Sequence, residues 1–219
     1  MILAVCGGKG GVGKSTAAFN LAALLEAVVV DGDLAMADLP TARGPDFHDV
    51  LAGRASAVEA VREDGAVRIL PCGRSLTGAR ACDLDSIETA LAAVEDEYGD
   101  VVVDCPAGLN AAVGAPLAAA DACVLVTTPA PAALADALRT RALARELDAG
   151  LAVVALNRAS GEGRESYERT FGGPVVRVPE REEVVLAGAR GVPVVLSRPD
   201  SPASAGFRRL AAQVQSSAR

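Results

Sequence analysis

A glycine-rich segment near the N-terminus has the composition of a phosphate-binding loop. Residues 8–15 fit the pattern G-x-x-x-x-G-K-[ST], with an apolar, strand-like segment before it and a helix-like segment after it. Glycines let backbone N–H groups turn inward without a Cβ in the way, and the helix directs its positive end at the same point. Lys14 would reach the β- and γ-phosphates, and the Ser15 hydroxyl would bind Mg²⁺. The residues expected to contact Mg²⁺-ATP here are Gly8, Lys9, Gly10, Gly11, Val12, Gly13, Lys14, Ser15 and Thr16.

Three aspartates follow two runs of valine that have the composition of buried strands. Asp31 and Asp33 come after residues 28–30, and Asp104 ends the segment that begins at residue 101. In a parallel sheet these strand ends lie beside the phosphate loop, so Asp104 is a candidate Mg²⁺ ligand, directly or through water. Each of the three could instead cap the turn that follows its strand.

Lysine is nearly absent from this chain. Of its 21 basic residues only Lys9 and Lys14 are lysines, and both lie in the glycine-rich segment, where an ammonium group is a compact charge for phosphate. The net charge is −7, which argues against non-specific DNA binding. An acidic, lysine-poor and alanine-rich composition suggests a high-salt cytoplasm or a GC-rich genome, and we favour salt adaptation.

The segment from Lys9 to Thr16 resembles the deviant Walker A motif of the MinD/ParA family of ATPases, and residues 47–53 resemble a segment common in archaeal MinD-like proteins. This resemblance implies that Lys9 reaches the phosphates of a partner across a nucleotide-sandwiched homodimer. A second cation there would offset charge on the leaving phosphate, so hydrolysis would require dimerisation. The alternative is a solvated loop lysine.

The resemblance extends to the acidic strand ends. It implies that Asp33 orients the attacking water and contributes to the metal site with Ser15 and Asp104, while Asp31 supports the Mg²⁺ shell. The segment after Asp104 resembles the family's second switch, with Pro106, Ala107 and Gly108 as its residues. Gly108 could swing its N–H toward the γ-phosphate, and Pro106 would stiffen the turn.

Two short pairs of residues resemble the family's contacts to adenine. Asn157 and Arg158 follow an apolar strand, and the amide of Asn157 offers a donor and an acceptor to the edge of the base. Pro179 and Glu180 resemble the loop that covers the base from the other side. From its spacing alone, Asn157 is as good a candidate for a turn residue.

The elements that position these residues alternate between strand and helix along the whole chain. Short β-branched runs predict strands buried on both faces, with helices between them that each present one apolar face. The fold class is therefore α/β, a doubly wound and mostly parallel sheet with helices on both faces, in a single domain over residues 1–219. The predicted strands are residues 2–6, 28–31, 67–71, 101–104, 122–127, 151–156 and 175–178. Glu26 and Ala27 join the first helix to the second strand without the glycine usual in the family.

The remaining features favour structural roles. The five cysteines are widely spaced with no C-x-x-C pair, so we expect small buried residues rather than disulfides or a zinc site. His48, the only histidine, is expected to be structural or on a loop surface. Near the C-terminus, Phe207, Leu210 and Val214 form too thin an apolar stripe for firm interfacial binding, which argues against direct membrane attachment. With no signal peptide, we expect a cytoplasmic protein that a partner recruits to poles or membrane.

These observations favour a MinD-like, Mg²⁺-ATP-dependent dimerising switch that positions a partner assembly whose identity the sequence does not give. One alternative is a DNA-partitioning ATPase of the ParA type, with Arg139, Arg141 and Arg145 as its densest basic cluster. Another is a nucleotide-binding scaffold that hydrolyses too slowly to cycle.

Overall fold

The chain folds around one parallel sheet in a computed structural model that describes residues 1–35, 39–40, 43–108, 110–161 and 163–217. The strands are β1 (Ile2–Cys6), β2 (Val28–Asp31), β3 (Ile69–Leu70), β4 (Val101–Asp104), β5 (Ala122–Thr127), β6 (Gly150–Asn157) and β7 (Val175–Val178). Their spatial order is β3-β2-β4-β1-β5-β6-β7, and every neighbouring pair is parallel. The predicted fold class is confirmed.

Helices cover both faces of this sheet. They are α1 (Lys14–Leu25), α2 (Phe47–Leu51), α3 (Ala57–Ala60), α4 (Leu76–Ala81), α5 (Ile87–Tyr98), α6 (Ala111–Ala118), α7 (Pro131–Glu146), α8 (Arg164–Phe171), α9 (Glu182–Ala189), α10 (Val194–Ser197) and α11 (Pro202–Ser217), with a 3₁₀ turn at Leu84–Ser86. Because side chains alternate along β1, Leu3 packs in the core layer that contains α1 and α11, whereas Ala4 packs in the layer that contains α5 and α6. Strands covered on both faces explain the unbroken apolar runs of the sequence.

The edge strand β3 is shorter than predicted. The sequence favoured residues 67–71, but only Ile69 and Leu70 pair with β2. On the other side, Ile69 forms an isolated antiparallel bridge with Arg62, through N–H···O bonds of 2.7 and 2.9 Å. A short strand covered on its outer side leaves little free edge for unwanted pairing.

The tight connection between α1 and β2 depends on a left-handed residue. Glu26 has φ 55°, and its N–H bonds to the carbonyl of Ala22, as does that of Ala27 at 3.0 Å. Glycine usually takes this conformation at a helix end. In this chain Glu26 therefore takes the left-handed conformation in place of the glycine that is usual in the family, and Ala27 alone separates it from β2.

The C-terminal helix α11 belongs to the core. Phe207, Leu210 and Val214 are buried in the layer shared with α1, and Gly206 lies so close to β7 that a Cβ would be 3.1 Å from the carbonyl oxygen of Arg177. The thin apolar stripe of the sequence is therefore used in packing against the sheet. Within the described part of the chain, none of the helices combines the length and apolar character needed to cross a bilayer.

Candidate functional site

The phosphate loop lies between the end of β1 and the start of α1. Gly11 and Gly13 have φ of 74° and 99°, conformations that a residue with a Cβ rarely adopts. Gly13 is the residue before the first turn of α1, and it has no side chain with which to cap that turn. The first N–H groups of α1 therefore face the concave side of the loop, where an anion can accept from them.

The glycines of the loop serve two different purposes. A Cβ at Gly7 would lie 2.5 Å from the carbonyl oxygen of Val126, and one at Gly8 would lie 2.4 Å from that of Asp136, so both positions are filled by neighbouring backbone. A Cβ at Gly10 or Gly11 would meet nothing within 4 Å. One half of the loop is packed against the protein, and the other half leaves space for a ligand. The sequence pattern did not single out Gly7.

The two lysines of the loop have opposite environments. Lys14 is 8% exposed, and a Cβ at Gly7 would be 3.5 Å from its Cδ, so its aliphatic chain runs beneath the loop. Lys9 is exposed on the outside. A buried ammonium under a ring of N–H groups is suited to a bound phosphate, whereas an exposed one can reach a second molecule.

Two of the predicted carboxylates are buried side by side at the carboxyl end of the sheet. Asp31 and Asp104 are Cα partners in the β2–β4 ladder, and Asp104 is also paired with Val5 of β1, two residues before the phosphate loop. They are 0% and 1% exposed. Adjacent buried carboxylates favour a nearby cation, and Lys14 and Mg²⁺ are the candidates.

The carboxylate of Asp31 also organises the turn after β2. Its Oδ1 accepts from the N–H of Asp33 and its Oδ2 from that of Leu39, both at 3.3 Å. Asp33 is half-buried, and its own Oδ1 accepts from the N–H of Ala35 at 3.3 Å. The turn-capping alternative is therefore present at both residues, and it fixes the backbone that carries Asp33. Asp38, to which the sequence assigns no role, lies outside the described residues.

The residues that could hold Mg²⁺ are few. No three His, Cys, Asp or Glu side chains within the described ranges are grouped so that they could hold a metal ion by themselves. In nucleotide sites Mg²⁺ keeps several waters and takes one or two protein ligands together with phosphate oxygens. Ser15 at the start of α1 and Asp104 at the end of β4 suit a metal that arrives with its nucleotide.

The predicted second switch begins directly after Asp104. The N–H of Cys105 still bonds to the carbonyl of Val5 at 3.0 Å, and the chain then leaves the sheet through Pro106 and Ala107. Gly108 has φ 99°, so glycine is required at this position for its backbone conformation.

The four predicted base contacts line one cavity beside the loop. The cavity has a volume of about 290 Å³ and is bounded by Gly13, Thr16, Asn157, Arg158, Val178, Pro179, Glu180, Arg181, Val184, Val185, Gly188 and Ala189. Asn157 Nδ2 donates to the carbonyl of Val12 at 2.8 Å, which joins the end of β6 to the phosphate loop. Across the mouth, Arg158 Nε lies 3.9 Å from Glu180 Oε1, with both side chains at least half exposed.

The contribution of α9 to this cavity was missed by the sequence reasoning. Val184, Gly188 and Ala189 form one wall, and the signal that could have found them is the apolar spacing directly after Glu180. A smaller cavity of about 140 Å³ also adjoins Thr16, Val184 and Gly188, and it is lined among others by Phe19 and Leu39. Helix α9 therefore faces both the base-side cavity and the loop after β2.

The remaining predictions concern the cysteines and His48. All five cysteines are free, and all but Cys82 are buried, as expected. His48 is only 3% exposed and lies in α2, so of the two expected alternatives the structure excludes the loop surface. Its Nε2 lies 3.0 Å from the carbonyl oxygen of Leu34, next to Asp33.

The chain matches known proteins over most of its length. The model of the CobQ/CobB/MinD/ParA nucleotide-binding domain matches residues 3–194. An uncharacterised ATP-binding protein of Methanocaldococcus jannaschii is 36% identical over 227 residues, covering 96% of this chain and 86% of the relative.

Two solved structures have nearly the same fold. The cell division ATPase MinD of Pyrococcus furiosus superposes with a TM-score of 0.91 at 26% identity, covering 98% of both chains. The septum site-determining protein MinD of Pyrococcus horikoshii, solved with Mg-ADP, has a TM-score of 0.90 at 27% identity, covering 97% of this chain and 94% of that one. Nucleotide and magnesium binding are thus properties of this family, whose members are ATPases. The chain belongs to the CobQ/CobB/MinD/ParA family of nucleotide-binding domains and is a MinD-like member of it.

Proposed function

We propose that this protein is a MinD-like ATPase switch in which Mg²⁺-ATP closes a homodimer and hydrolysis reopens it. The observation that carries the proposal is the different exposure of the two lysines: Lys14 is buried beneath the phosphate loop, and Lys9 is exposed outside it. In a chain that otherwise uses arginine, both lysines lie on this loop. A closed dimer would place Lys9 against the phosphates of the partner protomer.

The roles of the chain's own residues follow from their positions. Lys14 and the first N–H groups of α1 bind the β- and γ-phosphates, while Ser15 and Asp104 hold Mg²⁺. The ion, when bound, neutralises charge on the phosphates. Asp33, on the loop after β2, accepts a hydrogen bond from the attacking water and directs it toward phosphorus.

The base side selects the nucleotide in this proposal. Asn157 is held by the carbonyl of Val12 and keeps its Oδ1 available at the wall of the cavity. Arg158 and Glu180 close the mouth, and Pro179 supplies an apolar surface for the base. An exocyclic amino group, as adenine carries, can donate to the amide oxygen.

The biological role we propose is to position a partner assembly, as MinD proteins determine septum sites. ATP would create the partner's binding surface by joining two protomers, and hydrolysis would remove it. The whole chain acts as one domain in this cycle, in the cytoplasm, with a partner bringing it to poles or membrane. The burial of Phe207 and Leu210 against the sheet supports recruitment through a partner.

A DNA-partitioning role is disfavoured by charge. On α7, Arg139 is paired with Asp136, and the net charge of the chain is −7. Non-specific DNA binding depends on basic residues that release counterions. A DNA mobility-shift assay over a range of salt concentrations tests this alternative, since binding that strengthens steeply at low salt would support it.

The proposal is tested by measuring molecular mass and ATP turnover in high-salt buffer, with and without Mg²⁺-ATP. We expect a monomer that becomes a dimer with ATP, and a Lys9→Ala variant that binds ATP but neither dimerises nor hydrolyses it. Wild-type protein that stays monomeric with ATP would contradict the switch. Unchanged turnover in Asp33→Ala would instead favour the slow scaffold.

A further inference from the structure

The loop that carries Asp33 rests on a buried pair of side chains, His48 and Cys72. We infer that these two are positioning residues for Asp33, because they hold the carbonyl groups of Asp33 and Leu34 and thereby set the direction of the Asp33 carboxylate. This inference rests on the proposed function, in which Asp33 orients the attacking water. Neither residue is expected to touch ATP.

The two side chains hold two consecutive peptide groups. His48 Nε2 lies 3.0 Å from the oxygen of Leu34, and Cys72 Sγ donates to the oxygen of Asp33 at 3.2 Å. The sulfur and Nε2 are themselves 3.5 Å apart. A carbonyl oxygen can only accept, so Nε2 carries a proton. Burial, followed by the charges of Asp31 and Asp33, raises the pKa of the Cys72 thiol, which therefore remains a donor.

Both donors belong to one rigid unit. Helix α2, which carries His48, begins with a reciprocal capping box between Asp46 and Asp49. The N–H of Phe47 bonds to the carbonyl of Pro71 at 2.9 Å, directly before Cys72 at the end of β3. A displacement of either donor would therefore require α2 and the end of β3 to separate.

Two glycines clear the space for the imidazole ring. A Cβ at Gly73 would lie 2.2 Å from His48 Nδ1, and one at Gly78 would lie 2.7 Å from it. Neither glycine has a positive φ that would explain its presence, so the close approach of the ring, together with Asp46 Oδ1 at Gly73 and Ser75 Oγ at Gly78, accounts for both. Within the described ranges Nδ1 has no hydrogen-bond partner, and the ring acts on the loop through Nε2.

Three side-chain hydrogen bonds among the described residues of this loop are long, so a contact from outside the loop contributes to holding it. The N–H groups of Asp33, Ala35 and Leu39 each lie 3.3 Å from their carboxylate acceptors, at the weak end of the normal range. The contact from His48, at 3.0 Å, is shorter than all three. Loss of it would remove the support of the Leu34 carbonyl, in the peptide group next to that of Asp33, and a small misplacement of a catalytic group lowers turnover strongly.

The test compares His48→Phe, which fills the ring space without a donor, with His48→Gln, whose amide nitrogen can occupy the place of Nε2. We expect His48→Phe to lower kcat by about ten- to hundred-fold while the affinity for Mg²⁺-ATP stays within about twofold. His48→Gln should recover most of the rate. In the nucleotide-free protein, hydrogen exchange at the amides of residues 33–35 should be faster in His48→Phe than in wild type or His48→Gln.

Cys72 has a matched control in the same protein. Cys72→Ala removes the donor to Asp33 and should lower kcat, whereas Cys82→Ala should not, because Cys82 donates to the carbonyl of Gly78 on α4 and not to a carbonyl of the loop. An unchanged kcat and unchanged exchange in His48→Phe would overturn the inference. So would a loss of rate that His48→Gln does not repair. Wild-type protein that fails to hydrolyse ATP would overturn the proposed function instead, and the exchange comparison would still decide whether His48 holds the loop.

Discussion

The phosphate loop and the base-side cavity adjoin each other, but they draw on very different stretches of the chain. The loop is contiguous from Gly8 to Thr16, whereas the cavity combines Gly13 with Asn157 at the end of β6 and Glu180 after β7. The loop's conformation follows from its own glycines and from backbone on either side. The cavity exists only if β6, β7 and α9 pack correctly. A contiguous motif can therefore be recognised directly in the sequence, whereas a cavity assembled from distant segments cannot.

The largest effect should come from the buried cation of the loop. In Lys14→Ala we expect turnover to fall by about a hundred- to thousand-fold, because the phosphates lose a preorganised positive charge. The melting temperature without nucleotide should not fall, since the variant removes a charge that is 8% exposed. Turnover assays and thermal unfolding check both statements. ATP binding at full strength would remove the basis of the site.

The second test separates packing glycines from ligand-facing ones. Gly8→Ala would place a Cβ 2.4 Å from the backbone oxygen of Asp136, so we expect the free energy of unfolding to fall by about 2 kcal/mol. Gly10→Ala meets nothing within 4 Å and should change it by less than about 0.5 kcal/mol. Urea unfolding measures both. Equal losses in the two variants would mean that the loop is not divided in this way.

The third test concerns the hydrogen bond between Asn157 and Val12, which joins the two regions. Asn157→Ala removes the 2.8 Å bond to Val12, and we expect ATP affinity to fall by about tenfold, with the stability of the protein little changed. Titration with a fluorescent ATP analogue gives the dissociation constant. GTP affinity in the same variant is the control, since the preference for ATP over GTP should decline as the affinity for ATP falls.

The smallest effect is expected at the mouth of the cavity. Arg158 and Glu180 are 3.9 Å apart and at least half exposed, so their ion pair contributes little. Glu180→Ala should change ATP affinity by no more than about twofold. Even this change should disappear in high salt, which screens exposed ion pairs. A tenfold change would mean that the residue contacts the ribose or base directly and would make this side as important as the loop.

The sequence predicted most of the sheet, because short valine-rich runs such as the one ending at Asp104 are typical of strands buried on both faces of a parallel sheet. It overestimated β3, because the pairing of Ile69 with Arg62 is a tertiary contact. It placed Asn157 at the site by resemblance alone, and the bond to Val12 depends on strand packing. It also left His48 between core and surface. Its burial depends on Gly73 and Gly78, whose role is visible only once the ring is in place.

The N–H of Gly32, the first residue after β2, donates to the carbonyl of Asp104, the last residue of β4, at 2.9 Å. No side chain fits at Gly32, where a Cβ would be 2.8 Å from that oxygen. This hydrogen bond therefore connects the peptide after Asp31 to the end of β4, which carries the candidate metal ligand Asp104. A displacement of Asp104 is therefore expected to move the peptide that leads to Asp33 as well.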